Sequence, residues 1–187
     1  MSIPSSKVKK ISKNQFKDSI ISDYRLVCEV RESGAQGRRD VLSGKGSFGI
    51  FGDGKEVAQI ALAKVFRNGD FRAGYYRDQT FMMSIGQLTP DQFFAQLYAH
   101  TDIDKDPHSG GRQMNCHFGT RLLNEKGEWK TQTDMMNSSS DVSCVSGQMP
   151  RIVGLAYASK LFRNNKKLSD MQNFSINGNE VIFGTIG

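Results

Sequence analysis

The chain of 187 residues has few cysteines and no long apolar segment. Its three cysteines, Cys28, Cys116 and Cys144, are odd in number, and no pair has the C-x-x-C spacing of zinc or redox motifs. We therefore expect no disulfide framework and no zinc site, and interpret the cysteines as small buried side chains in a reducing compartment. No apolar run approaches the roughly 20 residues that span a membrane. The N-terminal residues are basic and polar and lack the apolar region of a secretory signal, so we expect none. A cytoplasmic protein without a membrane segment is predicted.

Acidic residues are absent from the first 17 positions, which contain Lys7, Lys9, Lys10, Lys13 and Lys17. These lysines account for five of the six net positive charges, so the remainder of the chain is nearly balanced. A basic tail usually serves solvation or docking, and no zinc-finger spacing or aromatic RNA-binding motif follows it. We expect residues 1–13 to form a flexible basic tail, and we expect no binding to nucleic acid.

Apolar spacing in the first half of the chain predicts helices separated by loops. Amphipathic periods favour helices over 14–31 and 56–66. Short glycine-rich segments between these two helices favour a loop over 33–54. Residues 71–79 are aromatic and basic with an internal glycine, which is typical of a loop or a short extended segment.

The second half combines one long polar region with two apolar elements. Thr89 and Pro90 form a typical helix start, and this helix is expected to end near His100. Residues 101–148 are polar with little periodicity, which is typical of a functional loop region. The segment 149–162 is apolar on all sides, a pattern that indicates a buried helix.

The last eight residues, 180–187, read as a buried strand that ends on glycine. A short apolar run bounded by glycine is typical of a central strand in a parallel sheet. Ligands of open α/β sheets bind just beyond the carboxyl ends of such strands. We therefore predict an α/β fold, mostly helical with long loops, in which 14–187 form an incomplete domain that is cut at Gly187.

Three stretches combine residue types that could carry chemistry: 74–79 (GYYRDQ), 110–117 (GGRQMNCH) and 138–148 (SSSDVSCVSGQ). In the first, an arginine beside two tyrosines suits phosphate, but a packed aromatic cluster with a surface ion pair is the alternative. In the second, paired glycines permit close approach of a ligand and His117 could serve as acid or base, although a loop histidine is more often a packing or surface residue. In the third, backbone groups ahead of a helix could hold an anion or a ring, and a serine-rich linker is the alternative. Two further segments that contain glycine and lysine, 44–46 and 52–55, do not fit the sequence pattern of a P-loop.

The chain resembles the alpha part of the thiamine-diphosphate-dependent 2-oxo acid dehydrogenases over residues 44–187. The words that carry the resemblance are FGDGKEVAQIALA, GYYRDQTFMMSIG, GGRQMNCHFG and SGQMPRIVGLAYASKL, in this order and with similar spacing. The similarity is greatest to the branched-chain (2-oxoisovalerate) type, in the form that fuses the alpha and beta parts in one chain.

The resemblance assigns roles to particular residues. It places Tyr76 and Arg77 on the cofactor diphosphate, and Ser143 and Val145 beside the aminopyrimidine ring. His117 matches a histidine close to the reacting centre and is the candidate catalytic residue. Gln148 matches one ligand of a potassium ion.

Two positions depart from the family pattern. Gly147 stands where the family has a threonine that also binds potassium, and Cys144 stands where a proline is common. These departures put the potassium site in doubt.

The resemblance also implies cofactors, substrates and partners. It implies thiamine diphosphate and magnesium, with the magnesium ligands beyond Gly187, and a 2-oxo acid substrate. It implies association with the beta part, with a lipoyl-bearing acyltransferase and with further copies of the chain. We expect the 187 residues to be inactive alone. Alternatives are a pyruvate or acetoin dehydrogenase component and a non-catalytic interaction module.

Overall fold

The computed structural model describes residues 11–186, so the predicted basic tail lies largely outside the described residues. Five helices are present in this part of the chain: α1 (Lys13–Leu42), α2 (Glu56–Ala63), α3 (Gln79–Ser84), α4 (Pro90–Leu97) and α5 (Met149–Asn164). Its three strands are β1 (Phe71–Ala73), β2 (Asn137–Ser139) and β3 (Ile182–Gly184), and short 3-10 helices span Gln132–Asp134 and Lys166–Leu168. No helix among the described residues is both long enough and apolar enough to cross a bilayer.

The three strands form a parallel sheet in the order β2-β1-β3. Phe71 at the beginning of β1 is opposite Asn137 in β2 and Ile182 in β3. The α/β class and a parallel final strand are therefore confirmed. The burial predicted for that strand is wrong, because β3 is only half-buried. Among the three strands, β1 lies at the centre and β3 at an edge.

The first helix begins where a capping box stops its N-terminus from fraying. The Ser12 hydroxyl accepts from Gln15 N at 3.2 Å, and the Gln15 side chain accepts from Ser12 N at 2.9 Å. The helix was predicted to end near Arg31, but it continues to Leu42. The loop prediction for 33–54 is therefore wrong in its first ten residues.

Two glycines explain this error, because Gly34 and Gly37 allow close packing inside α1 instead of ending it. A Cβ on Gly37 would lie 2.7 Å from Phe51 Cε1, and one on Gly34 would lie 3.0 Å from Asp53 Oδ1. The segment that contains Phe51 and Asp53 can approach the helix because neither glycine carries a side chain. Glycine in a helix costs about 1 kcal/mol relative to alanine, and packing overrides this propensity here.

The core joins the C-terminal half of α1 to α2, α3 and α4 around a group of aromatic and sulfur-containing side chains. Phe66 and Phe81 contact each other edge to face with ring centroids 5.2 Å apart, and Phe183 from β3 lies 5.4 and 5.3 Å from them. The fully or nearly fully buried members are Val30, Phe66, Phe81, Met82, Met83, Leu88, Phe93, Cys116 and Phe118. This core supports the beginning of the sheet.

The predicted start of α4 is confirmed. Thr89 Oγ1 accepts from Gln92 N at 3.2 Å, the Gln92 side chain accepts from Thr89 N at 3.0 Å, and Pro90 is the first helical residue. The helix ends at Leu97, three residues before the predicted end.

The fifth helix forms where it was predicted, but the prediction that it is buried is wrong. Val153, Tyr157 and Leu161 are exposed by 69%, 60% and 42%. The helix packs on the sheet through one side only, where a Cβ on Gly184 would lie 2.0 Å from Ile152 Cδ1. An apolar helix in contact with a single sheet leaves its other sides uncovered, which the all-round apolar pattern does not reveal.

We predict opposite effects of alanine at two helical glycines. Gly37→Ala should lower the free energy of unfolding by about 1–2 kcal/mol, because the clash with Phe51 exceeds the gain in helix propensity. Gly154→Ala is the matched control, since no atom lies within 4 Å of its Cβ position, and it should stabilise by about 0.5–1 kcal/mol. Denaturant unfolding measures both, and an equal gain in the two variants would contradict the packing role of Gly37.

Candidate functional site

The parallel sheet brings three chain segments together at the carboxyl ends of its strands. Residues 74–78 follow β1, residues 140–148 follow β2, and Thr185 follows β3. Ligand sites of α/β proteins lie at this edge. Two of the three stretches singled out from the sequence, 74–79 and 138–148, therefore reach this edge.

A buried guanidinium connects these segments. Arg72 of β1 is completely buried; its Nη2 donates to Asp78 Oδ2 and Asp141 Oδ2, both at 2.9 Å, and its Nη1 donates to Ser138 Oγ at 2.6 Å. Burial alone would lower the pKa of Arg72, but the charges of Asp141 and Asp78 outweigh burial and raise it. A Cβ on Gly74 would lie 1.7 Å from Arg72 Nη2, so only glycine fits there.

The two carboxylates also hold neighbouring backbone. Asp141 accepts from Gly74 N at 3.2 Å and from Phe118 N at 3.0 Å. Asp78 accepts from the hydroxyl of Thr185 after β3. The ion cluster of Arg72, Asp78 and Asp141 thus fixes all three segments and the loop before Phe118. Sequence reasoning did not identify Arg72 or Asp141 as site residues.

The arginine of the first stretch has an unsatisfied donor. The Arg77 guanidinium lies 5.9 and 5.8 Å from the ring centroids of Tyr75 and Tyr76, and its Nη1 donates to Tyr75 Oη at 3.4 Å. Arg77 Nε is buried without a hydrogen-bond partner. The backbone there is fixed, because Gln59 Nε2 donates to Arg77 O at 2.9 Å and Gly52 leaves room for that oxygen. The arrangement offers a cation on a fixed backbone, with one N–H group that has no hydrogen-bond partner.

The second stretch places a buried imidazole beside the third. His117 Nε2 lies 2.9 Å from Ser143 Oγ, and His117 Nδ1 lies 3.2 Å from the carbonyl oxygen of Asn115. Because a carbonyl only accepts, Nδ1 carries the proton in the neutral ring and Nε2 accepts from the serine hydroxyl. The Tyr76 ring lies nearly parallel to the imidazole, 16° apart, with centroids at 6.1 Å. The structure therefore brings together Tyr76, His117 and Ser143.

A glutamine of α4 holds the backbone that carries this histidine. Gln96 Oε1 accepts from Cys116 N at 2.7 Å, and Gln96 Nε2 donates to His117 O, also at 2.7 Å. Cys116 has a φ of 63°, an uncommon value for a residue with a side chain, which persists only where neighbours enforce it. We interpret Gln96 as a positioning residue that the sequence analysis missed. Its one sequence signal is a polar residue between Phe93 and Leu97 on the buried helix face.

The cysteines divide into two groups. Cys116 is completely buried, and burial raises the pKa of its thiol well above the ordinary value, so the group stays protonated. Cys28 and Cys144 are exposed, which corrects the prediction that all three cysteines are buried. Within residues 11–186, no group of three or more His, Cys, Asp and Glu side chains could hold a metal ion.

The third stretch ends in a loop with mixed exposure. Ser143 and Val145 are exposed, whereas Gln148 is buried and its Nε2 donates to Thr185 O at 2.5 Å. Ser146 has a φ of 67°, so the loop turns sharply before α5. The Gln148 side chain thereby anchors the beginning of α5 to the segment after β3.

Gly147 in this loop has no room for a larger residue. A Cβ there would lie 2.7 Å from Val142 Cγ2 and 3.1 Å from Cys144 O. A threonine, which the resemblance places at this position, would require the loop to rearrange. Gln148, the residue predicted to bind potassium, is the next residue in the chain.

A buried carboxylate shapes the loop that precedes His117. Asp106 is fully buried and accepts from the backbone N–H groups of His108 (3.2 Å), Ser109 (3.1 Å) and Gly111 (3.0 Å). Gly111 has a φ of +74°, which favours glycine. This turn presents Arg112 to solvent next to the histidine loop.

Comparison with known proteins supports the family resemblance. The family model described as "Dehydrogenase E1 component" matches residues 24–171, well over half of the chain. The chain belongs to this family. The matched segment contains every residue that the resemblance assigned to the site: Tyr76, Arg77, His117, Ser143, Val145 and Gln148.

Two curated relatives of this E1-family chain are alpha subunits of the same kind. The "2-oxoisovalerate dehydrogenase subunit alpha" of Bacillus subtilis (strain 168) is 32% identical over 120 residues, which cover 64% of the chain and 31% of the relative. The "2-oxoisovalerate dehydrogenase subunit alpha, mitochondrial" of Caenorhabditis elegans is 29% identical over 127 residues, which cover 67% and 25%. The chain thus matches between a quarter and a third of the length of these relatives.

We predict that Gln96→Leu in this E1-family chain lowers the free energy of unfolding by about 2–6 kcal/mol, since two buried backbone groups lose their partners at ~1–3 kcal/mol each. Gln172→Leu is the matched control, because Gln172 is exposed, and its effect should stay within about 0.5 kcal/mol. Denaturant unfolding measures both. Equal effects of the two substitutions would contradict the positioning role.

A pH dependence is expected from His108. Burial lowers the pKa of His108 below 6.5 and outweighs the hydrogen bonds with Gly119 and Gln87, which raise it. Since the folded state disfavours the protonated ring, the contribution of His108 to stability is present above pH 6.5 and is lost as the pH falls below that value.

The measurement is the free energy of unfolding between pH 7.5 and 5.5. His108→Gln should reduce its pH dependence, whereas His100→Gln, at an exposed histidine, should leave it unchanged. If the unfolding free energy of His108→Gln depended on pH as strongly as that of the parent, His108 would not be the source of the pH dependence.

Proposed function

We propose that this chain is the alpha part of a thiamine-diphosphate-dependent enzyme that oxidatively decarboxylates branched-chain 2-oxo acids. In this proposal, the complete enzyme passes the acyl group to a lipoyl-bearing acyltransferase. The observation that carries the proposal is Arg77, whose buried Nε has no partner at the carboxyl edge of the sheet in a chain of the E1 family.

The residues at this edge fit a diphosphate. Arg77 has no carboxylate partner within residues 11–186. Its guanidinium therefore keeps its charge available, and guanidinium binds phosphate oxygens in a bidentate manner. Tyr76 lies beside it and extends the contact surface towards His117. The rigid backbone at Arg77 favours binding, because little freedom is lost when a ligand arrives.

The chemistry divides between the cofactor and the chain. Thiamine diphosphate, when bound, supplies the electron sink that permits loss of carbon dioxide from a 2-oxo acid. Arg77 and Tyr76 bind the diphosphate, and the exposed loop with Ser143 and Val145 orients the ring of the cofactor. His117 can take or give a proton at Nε2, the atom that contacts Ser143 Oγ in the neutral ring.

The proposal includes two metal ions, magnesium and potassium, and the support for each is different. Magnesium rests on the resemblance alone, which places its ligands outside these 187 residues. For potassium, Gln148 provides an amide, but Gly147 replaces the expected threonine and has no space for one. The potassium site fits only in part, and no step is assigned to that ion.

The proposed partners are the beta part of the enzyme, the acyltransferase and further copies of the chain. Val153, Tyr157 and Leu161 form an exposed apolar face on α5 that suits burial against another chain. We propose that 14–187 form part of a larger thiamine-diphosphate-binding unit in the cytoplasm, and that the 187 residues have no activity alone.

Two alternatives remain testable with the complete gene product. A pyruvate or acetoin dehydrogenase component would prefer those substrates over branched-chain 2-oxo acids in a substrate panel. A non-catalytic interaction module would show no cofactor dependence, and deletion of residues 1–13 would abolish its association with an acidic partner.

The proposal predicts that Arg77→Gln in the complete enzyme weakens binding of thiamine diphosphate by about ten- to a hundred-fold, because a charge-assisted contact is lost. Binding of thiamine, which lacks the diphosphate, should not change. Isothermal titration calorimetry measures both affinities without reference to activity.

Arg25→Gln provides the control, since Arg25 is exposed on α1. Equal affinities of Arg77→Gln and Arg25→Gln for thiamine diphosphate would contradict the role of Arg77. If the complete enzyme with thiamine diphosphate and magnesium decarboxylated no 2-oxo acid of the panel, the proposed function would be wrong.

A further inference from the structure

A polar cavity of about 240 Å³ lies next to His117. The side chains that matter for its chemistry are His108, Arg112, Gln113, His117, Ser140 and Asp141. At ~30 Å³ per water molecule, the volume corresponds to about eight waters, which suits a small acid. Neither Tyr76 nor Arg77 lines this cavity, so it is separate from the proposed diphosphate contact.

The cavity combines one unpaired cation, Arg112, with one carboxylate, Asp141, that already has hydrogen-bond partners. Asp141 Oδ2 is bound by Arg72 Nη2 at 2.9 Å and by Phe118 N at 3.0 Å. Arg112 is exposed and has no carboxylate partner within residues 11–186. Burial lowers the pKa of His108, which disfavours a positive charge on its ring. Arg112 is therefore the cationic side chain lining the cavity that remains free to pair with an acid.

His117 borders both regions. Its ring lies parallel to Tyr76 beside Arg77, and the same residue lines the polar cavity. A molecule in the cavity would therefore contact the residue proposed to exchange a proton during the reaction. Gln113 and Ser140 add amide and hydroxyl groups that can donate to a carboxylate or a keto oxygen.

We propose that this cavity receives the 2-oxo acid and that Arg112 binds its carboxylate. The inference rests on the proposed function and adds a residue that recognises the substrate. Guanidinium and carboxylate form two parallel hydrogen bonds, which fix orientation as well as affinity. Arg112 holds the acid end while the keto carbon lies towards His117.

The test uses the complete enzyme and compares a 2-oxo acid with its uncharged primary amide as competitive inhibitor. Arg112→Gln should raise KM for the acid by about ten-fold or more, with a smaller change in kcat, because a charge-assisted contact is lost. The parent enzyme should bind the acid more tightly than the amide, and Arg112→Gln should lose this preference. Arg25→Gln should retain it.

The outcomes separate this inference from the proposed function. If the parent is active, and Arg112→Gln has the same KM and the same preference for the acid over the amide, the role of Arg112 is wrong and the proposed function stands. A parent that decarboxylates no 2-oxo acid would overturn both. If Arg112→Gln does not fold, Arg112→Met, which keeps the alkyl chain without the charge, decides: a reduced preference supports the inference, and an unchanged preference overturns it.

Discussion

The arrangement of the site depends on one buried charge. Arg72 is completely buried in the central strand, and a charge in that position is tolerated only when partners satisfy it. Asp78 and Asp141 provide these partners from the segments that follow β1 and β2. Each carboxylate would itself be destabilising without the guanidinium, so the three groups require one another. The two segments are consequently held together through their shared contact with Arg72.

The same cluster explains how residues distant in sequence become a site. Asp141 also accepts from Phe118 N, one residue after His117, so the histidine loop is tied to the cluster. Gln96 fixes that loop from the other side through Cys116 and His117. Polar contacts of this kind have strict geometry, unlike apolar contacts. The His117 ring is thereby held near Ser143 although both belong to regions with almost no regular structure.

Local signals predicted part of this structure, and tertiary contacts determined the rest. Thr89 and Pro90 mark a helix start through capping groups adjacent in sequence, so the start of α4 was predictable. The extension of α1 to Leu42 was not predictable, because glycine such as Gly37 usually disfavours a helix. The reason for a glycine there is the close approach of Phe51, which only the fold reveals. Likewise, arginine is a residue type usually found at the surface, and the burial of Arg72 depends on its ion pair with Asp141, which follows β2. The candidate site residues were named through the family resemblance and remain predictions, whereas the contacts of Arg72 and Gln96 that support them are visible only in the fold.

Apolar composition and burial disagree most clearly in α5, and the disagreement has a physical meaning. The helix contacts the sheet near Gly184, yet Tyr157 and Val153 remain largely exposed. Hydrophobic burial is non-directional, so a helix that is apolar on all sides gains stability from any chain that covers it. The polar network around Arg72 needs no such cover, because its members satisfy one another within one chain. Site geometry and association surface are therefore built from different interactions, and substitutions on the exposed face of α5 should change assembly without displacing His117.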